Sequence, residues 1–166
     1  MMKSLKYAAV CLTCVATLAV PFSQAGAASE LSPTRVPDRT VVSTHTFADK
    51  NIPYKAIDGD INTAWTAGKS SDVISLYFRE QVSVSAVQIA PTVSKTTTHK
   101  YLVYGLQGKE WKIIARESRT VEPGANGQAT ILDPIKVTPG TYEGVLVSID
   151  SDTTSKLVIN EIRLVN

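Results

Sequence analysis

Apolar residues at every second position limit what this chain can fold into more than any other feature. The alternation is clear in residues 74–78 and 82–86, and a change of phase at Val87 indicates a β-bulge. Residues 101–104 and 111–115 flank a turn with two glycines, the pattern of a β-hairpin. Short strands separated by turn residues predict an antiparallel β-sandwich or barrel.

Further short apolar segments extend the same pattern to the end of the chain. They predict strands at residues 130–132, 145–149 and 157–165. No stretch beyond residue 27 shows a helical stripe, apart from one turn at residues 53–57. Trp65 and Trp111 are both predicted to pack in the core. The fold class is therefore predicted to be all-β.

The first 27 residues differ from the rest of the sequence. Lys3 and Lys6 precede an uncharged apolar run at residues 8–20, and an Ala-Gly-Ala segment follows. This is the pattern of a secretory signal peptide, and the run is shorter than the roughly 20 residues that span a bilayer. We predict a signal peptide at 1–27, a flexible leader at 28–39 and a folded domain at 40–166. The product is predicted to be secreted or periplasmic, without membrane insertion once the signal is removed.

Removal of the signal changes the chemistry of the chain. Lys3 and Lys6 belong to the signal, so the 17 basic residues fall to match the 15 acidic ones, and the mature domain is formally neutral. A neutral domain gives no support for a nucleic-acid partner. Cys11 and Cys14 are also removed, which excludes disulfides and thiol catalysis.

Motifs of common enzyme classes are missing from the sequence. It contains no G-x-S-x-G elbow, no H-E-x-x-H motif and no phosphate-binding loop. His45 and His99 are its two histidines, and no matching nucleophile or ligand set accompanies them. We predict that the protein is not an enzyme.

The stretch KAIDGDINTAW, residues 55–65, concentrates acidic and amide side chains. It is not an EF-hand, because Thr63 and Lys69 occupy the positions that require Gly and Glu. Asp58 and Asp60 are close enough for a glycosidase pair, but they converge on one point and leave no room for a sugar ring between them. Two interpretations remain open from these residues alone: a calcium site, and an Asp-Gly-Asp turn that caps backbone amides.

Together with ISLYF, VSAVQIAP, YLVYGLQGKEWKIIA and INEIRLV, this stretch resembles the discoidin, or coagulation factor V/VIII type C, domain. The resemblance covers residues 41–165 and is closest to the family 32 carbohydrate-binding modules. It implies an eight-stranded antiparallel jelly-roll sandwich of the galactose-binding-domain-like type. It also implies a structural calcium, and the oxygen ligands carried over to this sequence come from Lys55, Asp58, Asp60, Thr63, Asn160 and Glu161.

In the resembled family, glycans bind at loops at one end of the sandwich. The matching loops carry the candidate ligand-binding residues His45, Asn51, Tyr54, Lys69, Lys95 and His99. No arginine occurs in residues 91–100, and the loops are basic, so an acidic polysaccharide such as a uronate polymer is the candidate ligand. The alternative function is protein–protein interaction or adhesion by the same fold, which predicts an exposed apolar patch instead of a polar pocket.

Overall fold

A computed structural model describes residues 30–32, 36–46 and 52–166, so the predicted signal peptide lies outside the described part of the chain. Its seven strands are β1 (Val41–Thr44), β2 (Trp65–Thr66), β3 (Ser71–Pro91), β4 (Thr97–Gln107), β5 (Glu110–Val121), β6 (Ile135–Ser151) and β7 (Val158–Val165). Two 3-10 turns lie at Pro53–Ala56 and Ala125–Gly127. Within these described ranges, no helix is long and apolar enough to cross a membrane.

The strands form two layers that share β3 and β6. Both strands are long, and they pair with each other from Ser71↔Asp150 to Val87↔Ile135. In the first layer the order is β1-β3-β6-β4-β5, and in the second β7 pairs with the end of β3 and with β2. β3 and β6 pass from the first layer to the second at the register shift between Tyr77 and Val82, where residues 79–81 are exposed. All pairings are antiparallel, which confirms the predicted all-β sandwich.

One hydrophobic core fills the space between the layers. The first layer contributes Ile74 and Val147, and the second contributes Val87 and Ile162. Trp65 is fully buried among them, as predicted. Its indole N–H has no hydrogen-bond partner among the described residues. The hydrophobic free energy gained by burying the side chains of this core explains how a domain without disulfides can be stable.

Trp111, which was predicted to lie in the core, is partly exposed on the outer face of the first layer, and that prediction is wrong. The core position on β5 is taken instead by Ile114, which has the opposite phase.

Local predictions from the sequence are mostly confirmed. The hairpin between β4 and β5 turns at Gly108 and Lys109, both with positive φ, as a tight hairpin turn requires. The register between β3 and β6 shifts between Val84 and Ala86, close to the predicted bulge, but the extra residues lie on β6 between Lys136 and Gly140 and not on β3. The strand predicted at 130–132 is wrong, although its amides donate to carbonyls of β3. The described residues form seven strands where the resemblance implied eight, and the segments predicted at 74–78 and 82–86 are both part of β3.

Part of the segment predicted to be a flexible leader is hydrogen-bonded to the second layer. The Gln88 amide N–H donates to the Glu30 carbonyl at 2.8 Å, and its Oε1 accepts from the Ser32 amide at 2.5 Å. Arg163 also donates to the Ser32 carbonyl. Val36 belongs to the core. Contacts between the described residues of this segment and the domain therefore begin before residue 40.

Candidate functional site

A β-bulge on β7 directs Asn160 towards the stretch at residues 55–65, which we call the acidic loop. Ala90 pairs with Glu161 and Pro91 pairs with Ile159, which leaves Asn160 as the extra residue. Bulges of this kind re-aim a side chain next to functional sites. The Asn160 amide N–H donates to the Ile61 carbonyl at 3.0 Å, and its Oδ1 accepts from Thr92 at 2.7 Å. The bulge thus fastens the last strand to the loop that carries Asp58 and Asp60.

Thr63 is the centre of a cluster of oxygen atoms in this loop. Its hydroxyl lies 2.7 Å from Asp58 Oδ2, 3.2 Å from the Asp60 carbonyl and 3.4 Å from the Lys55 carbonyl. Positive φ at Gly59 lets the loop reverse between the two aspartates. Hydroxyl, carboxylate and carbonyl oxygens that converge in this way are the donor set that Ca²⁺ prefers.

Glu161 reaches the same loop from β7 and is 1% exposed. Its Oε2 accepts from the Gly59 amide at 3.2 Å, and its Oε1 lies 3.3 Å from Arg163 Nε. Burial raises the pKa of Glu161, while the Arg163 guanidinium and the Gly59 amide oppose the rise and the charge of Asp58 adds to it. A cation bound beside Glu161, in addition to the Arg163 guanidinium, would offset the free-energy cost of burying this carboxylate.

The Asp60 carboxylate is hydrogen-bonded to Asn62, and it is the Asp60 carbonyl that lies near the Thr63 hydroxyl. Its Oδ1 accepts from both the backbone and the side-chain amide of Asn62 at 2.9 Å, and these bonds lower the pKa of Asp60. Across the described ranges, no three His, Cys, Asp or Glu side chains converge as a metal-binding group. A cation here would therefore depend on carbonyl and hydroxyl oxygens together with Asp58 and Glu161, and Asp60 would contribute its carbonyl.

Three loops meet at one end of the sandwich, which we call the loop end: residues 66–70, 92–96 and 152–157. Backbone hydrogen bonds of 2.9–3.1 Å connect them to each other and to the adjoining strands. The donor–acceptor pairs are Leu157 with Lys69, Ala67 with Leu157, Thr92 with Val158, and Asp152 with Thr98. The loops are therefore held in fixed positions relative to the core.

Two of the predicted ligand-binding residues, Lys95 and His99, line one pocket of about 160 Å³ at the loop end. Lys156, from the segment between β6 and β7, lines the same pocket and was not predicted. Sequence reasoning missed it because the segments considered as ligand loops ended before β6. Val93, Leu157 and Val158 form an apolar part of the lining, and hydroxyl residues form most of the remainder.

His45 and Lys69 line a different pocket, of about 330 Å³. Asp72 organises it, because its carboxylate accepts from the His45 amide at 3.2 Å and the Thr46 amide at 3.1 Å. Tyr54 lies on the 3-10 turn and is 53% exposed. Neither of these pockets is lined by Tyr54, and Asn51 lies outside the described residues. The five predicted residues that the structure describes therefore do not line one pocket.

His99 lines the first pocket but is only 2% exposed. Its Nδ1 lies 3.0 Å from the Tyr101 hydroxyl, and the two rings meet edge to face. Burial lowers the pKa of His99, and the nearby Asp152 carboxylate opposes this shift. The His99 ring is therefore a buried part of the pocket wall and presents little surface to a ligand.

This pKa shift predicts a loss of stability in acid. The folded state binds a proton at His99 less readily than the unfolded state does, whose histidine titrates near pH 6.5. The free energy of unfolding should be insensitive to His99 above about pH 6.5 and fall below it, by at most about 1.4 kcal/mol per pH unit. Urea unfolding between pH 7.5 and 5.5 should show a smaller decline for His99→Gln. The exposed His45→Gln is the control, and an equal decline in all three proteins would contradict the prediction.

Comparison with solved structures shows which fold this geometry belongs to. A pectin-binding carbohydrate-binding module matches with a TM-score of 0.60 and 20% identity, over 76% of this chain and 89% of that one. The family 32 module of AlyQ, in complex with 4,5-unsaturated mannuronic acid, matches with a TM-score of 0.61 and 19% identity, over 76% and 94%. The chain has the fold of the family 32 carbohydrate-binding modules.

Other family 32 structures show the same likeness. The module from NanJ of C. perfringens, in complex with galactose, matches with a TM-score of 0.59 and 17% identity, over 75% of this chain and 92% of that one. A truncated AlyQ that contains a family 32 module and an alginate lyase domain also matches, and this chain covers 30% of it. No family model and no curated protein sequence matches the chain. The family 32 fold is therefore established by shape, and confirms the resemblance found in the sequence.

Proposed function

We propose that this protein is an exported, non-catalytic carbohydrate-binding module that binds an acidic polysaccharide at the loop end. The observation that carries the proposal is the position of Lys95 and Lys156 on one pocket. Neither ammonium group forms an ion pair with any described residue. None of the described residues that line the pocket is acidic. Two unpaired positive charges beside such a pocket suit a ligand that carries carboxylates.

The lining of the pocket suits a sugar in other respects. Ser94, Thr153 and Ser155 offer hydroxyl groups for hydrogen bonds, while Val93 and Leu157 offer an apolar surface for the C–H face of a ring. The volume of about 160 Å³ is below the roughly 300–1,000 Å³ of sites for drug-sized ligands, which favours one sugar unit at a time. A uronate unit would place its carboxylate at the lysines and its ring on the apolar surface.

The solved neighbours support this ligand class. One is described as pectin-binding and another holds 4,5-unsaturated mannuronic acid, an acidic sugar. A third holds galactose, which is neutral. The lysines of the pocket favour the acidic class for this chain.

The double variant Lys95→Ala, Lys156→Ala tests the proposal. Its retention on immobilised polygalacturonate or alginate should fall by about tenfold or more, because two charge-assisted contacts are lost. The matched control Lys112→Ala, Lys136→Ala removes the same charge at exposed positions outside the pocket and should keep full retention. Wild-type retention should also weaken with added salt. Equal losses in both double variants, or stronger wild-type binding to neutral galactan, would refute the proposal.

We also propose that a calcium ion fastens the acidic loop to β7. The residues that would hold it are Asp58 and Glu161 through carboxylates, Thr63 through its hydroxyl, and Lys55 and Asp60 through carbonyls, with Asn160 beside them. The convergence of oxygens on Thr63 and the buried carboxylate of Glu161 support this assignment. The ion would cross-link two segments that are distant in sequence and would take no part in chemistry.

A second function, contact with protein, is supported by a different part of the molecule. The alternative interpretation of the sequence predicted an exposed apolar patch, and Val41, Tyr77 and Ile113 are all at least 40% exposed on strands of the first layer. Such patches on soluble proteins commonly mark interaction surfaces.

A further inference from the structure

A further concave site lies between the acidic loop and the segment that follows β5. Its volume is about 330 Å³, within the roughly 300–1,000 Å³ of ligand sites in proteins. Three side-chain amides, those of Asn62, Gln128 and Asn160, line it together with Ile61 and Ile131. We call this site the amide cleft. None of the described residues that line it is charged.

Both walls of the amide cleft are held in place by backbone contacts. On one wall, the Asn160 side chain donates to the Ile61 carbonyl at 3.0 Å and so holds the acidic loop. On the other wall, the Thr130 amide donates to the last carbonyl of β3 at 2.8 Å. The turn before Gln128 is tight, because it leaves no room for a Cβ atom at Gly124 beside the Gln128 carbonyl. The cleft is therefore preformed, which lowers the entropic cost of binding a ligand.

The amide cleft offers hydrogen-bonding groups that no described residue uses. The Gln128 side chain has no partner in the described ranges. Asn62 donates one amide hydrogen to Asp60, and its Oδ1 has no described partner. A side-chain amide both donates and accepts, so each of them can bind two neighbouring hydroxyl groups. With the half-buried Ile61 and Ile131 beside them, these amides suit a sugar ring, which has hydroxyl groups at its edge and C–H groups on its face.

Acidic residues flank the amide cleft on both sides, although none lines it. Asp60 lies beside one wall, where the two amides of Asn62 donate to its carboxylate at 2.9 Å. Glu122 lies beside the other wall, where its carbonyl accepts from the Thr130 hydroxyl and its carboxylate from the Thr96 hydroxyl. These negative charges repel a ligand carboxylate, whereas a cationic unit would find no carboxylate within the cleft to pair with. An uncharged sugar unit therefore suits the amide cleft best.

The amide cleft shares a wall with the pocket at the loop end that Lys95 and Lys156 line, which we call the lysine pocket. Thr92 lines the lysine pocket, and Asn160 lines the amide cleft. The Thr92 hydroxyl donates to Asn160 Oδ1 at 2.7 Å, so the two sites adjoin at this hydrogen bond. The Thr92 amide also donates to the Val158 carbonyl at 3.0 Å, which fixes the shared wall to β7. A ligand of joined sugar units can therefore reach both sites across Thr92.

We propose that the lysine pocket and the amide cleft form one binding surface for a polysaccharide in which acidic units are joined to uncharged ones. The acidic unit binds at Lys95 and Lys156, and the uncharged unit beside it binds in the amide cleft through Asn62 and Gln128. This inference rests on the proposed function, because the lysine pocket binds the acidic unit. The uncharged unit can be a neutral sugar or a uronate whose carboxylate is esterified, since both present hydroxyl groups without charge.

Titration calorimetry of the exported protein, expressed as the full chain, tests the proposal with oligogalacturonates of equal length. These have none, some or all of their carboxylates methyl-esterified, so they differ in charge and share one backbone. The partly esterified oligomer should bind about tenfold more tightly than the unesterified one, because additional neutral hydrogen bonds form in the amide cleft. The fully esterified oligomer should bind most weakly, because it has no carboxylate for the lysines. An oligomer of alternating galacturonate and rhamnose shows whether a neutral sugar fills the cleft as well as an esterified uronate does.

The double variant Asn62→Ala, Gln128→Ala should lose the preference for the oligomers that contain uncharged units. The matched control Gln81→Ala, Gln107→Ala removes two exposed amides outside both sites and should keep the preference. Gln128→Ala alone should reduce the preference about threefold. This single variant leaves every residue of the acidic loop in place, so it tests the amide cleft even if the double variant does not fold.

Two results would overturn the proposal and leave the lysine pocket in place. One is binding of the unesterified oligomer that is at least as tight as binding of both mixed oligomers. The other is a preference that survives in the folded double variant of the amide cleft. If the wild type bound none of these oligomers, the lysine pocket and the joint site would both be refuted.

Discussion

Calcium should raise the melting temperature of this domain by roughly 5–10 °C, and a chelator should reverse the change. A ligand at about 100 times its dissociation constant, bound to the folded state alone, adds about 2.7 kcal/mol to the free energy of unfolding. A gain of that size produces a shift of this order in a domain of this length. The shift depends on the oxygen atoms that surround Thr63 and on the buried Glu161.

Asp58→Asn separates calcium binding from the stability of the loop itself. The asparagine can still accept a hydrogen bond from Thr63 or the Asp60 amide, so the melting temperature in chelator should change little. Its response to calcium should be lost, because one of the two carboxylates aimed at the cluster is gone. Asp150→Asn, at an exposed position outside this loop, should keep the full response. Equal melting curves of the wild type with calcium and with chelator would refute the assignment.

Features set by neighbouring residues could be predicted from the sequence. The β4–β5 hairpin and the 3-10 turn at Pro53–Ala56 both depend on local turn chemistry. The assignment of Trp111 failed because β5 carries apolar residues in both phases, with Trp111 and Ile113 in one and Ile114 in the other. Alternation alone cannot decide which phase is buried.

The site was less predictable because it joins segments that are far apart in the chain. Lys156 lines the same pocket as Lys95 only because β6 and β7 bring the segment between them to the loop end. Lys69 shares a backbone hydrogen bond with Leu157, yet its pocket is the one that His45 lines. Loop composition predicted which end of the sandwich is basic, but the division into two pockets depends on tertiary packing.

Glu161→Ala should lower the free energy of unfolding by about 3–5 kcal/mol, even in chelator. Glu161 and Arg163 form an ion pair of 3.3 Å with side-chain exposures of 1% and 9%. Removal of one partner leaves a buried charge without compensation, and this is the usual cost. The change also removes the acceptor for the Gly59 amide. Urea unfolding in chelator measures the loss, and Glu117→Ala, which breaks the more exposed pair with Arg119, should cost far less.

The double variant Glu161→Leu, Arg163→Met identifies the source of that loss. Replacement of a buried ion pair by apolar residues of similar size is often neutral, so the double variant should be more stable than Glu161→Ala. Arg163 also donates to the Ser32 carbonyl, so some stability should remain missing together with the attachment of residues 30–32. If the double variant were no more stable than Glu161→Ala, the loss would come from the Gly59 contact and not from an uncompensated guanidinium. Calcium should not stabilise either variant, because both lack the carboxylate that β7 supplies to the loop.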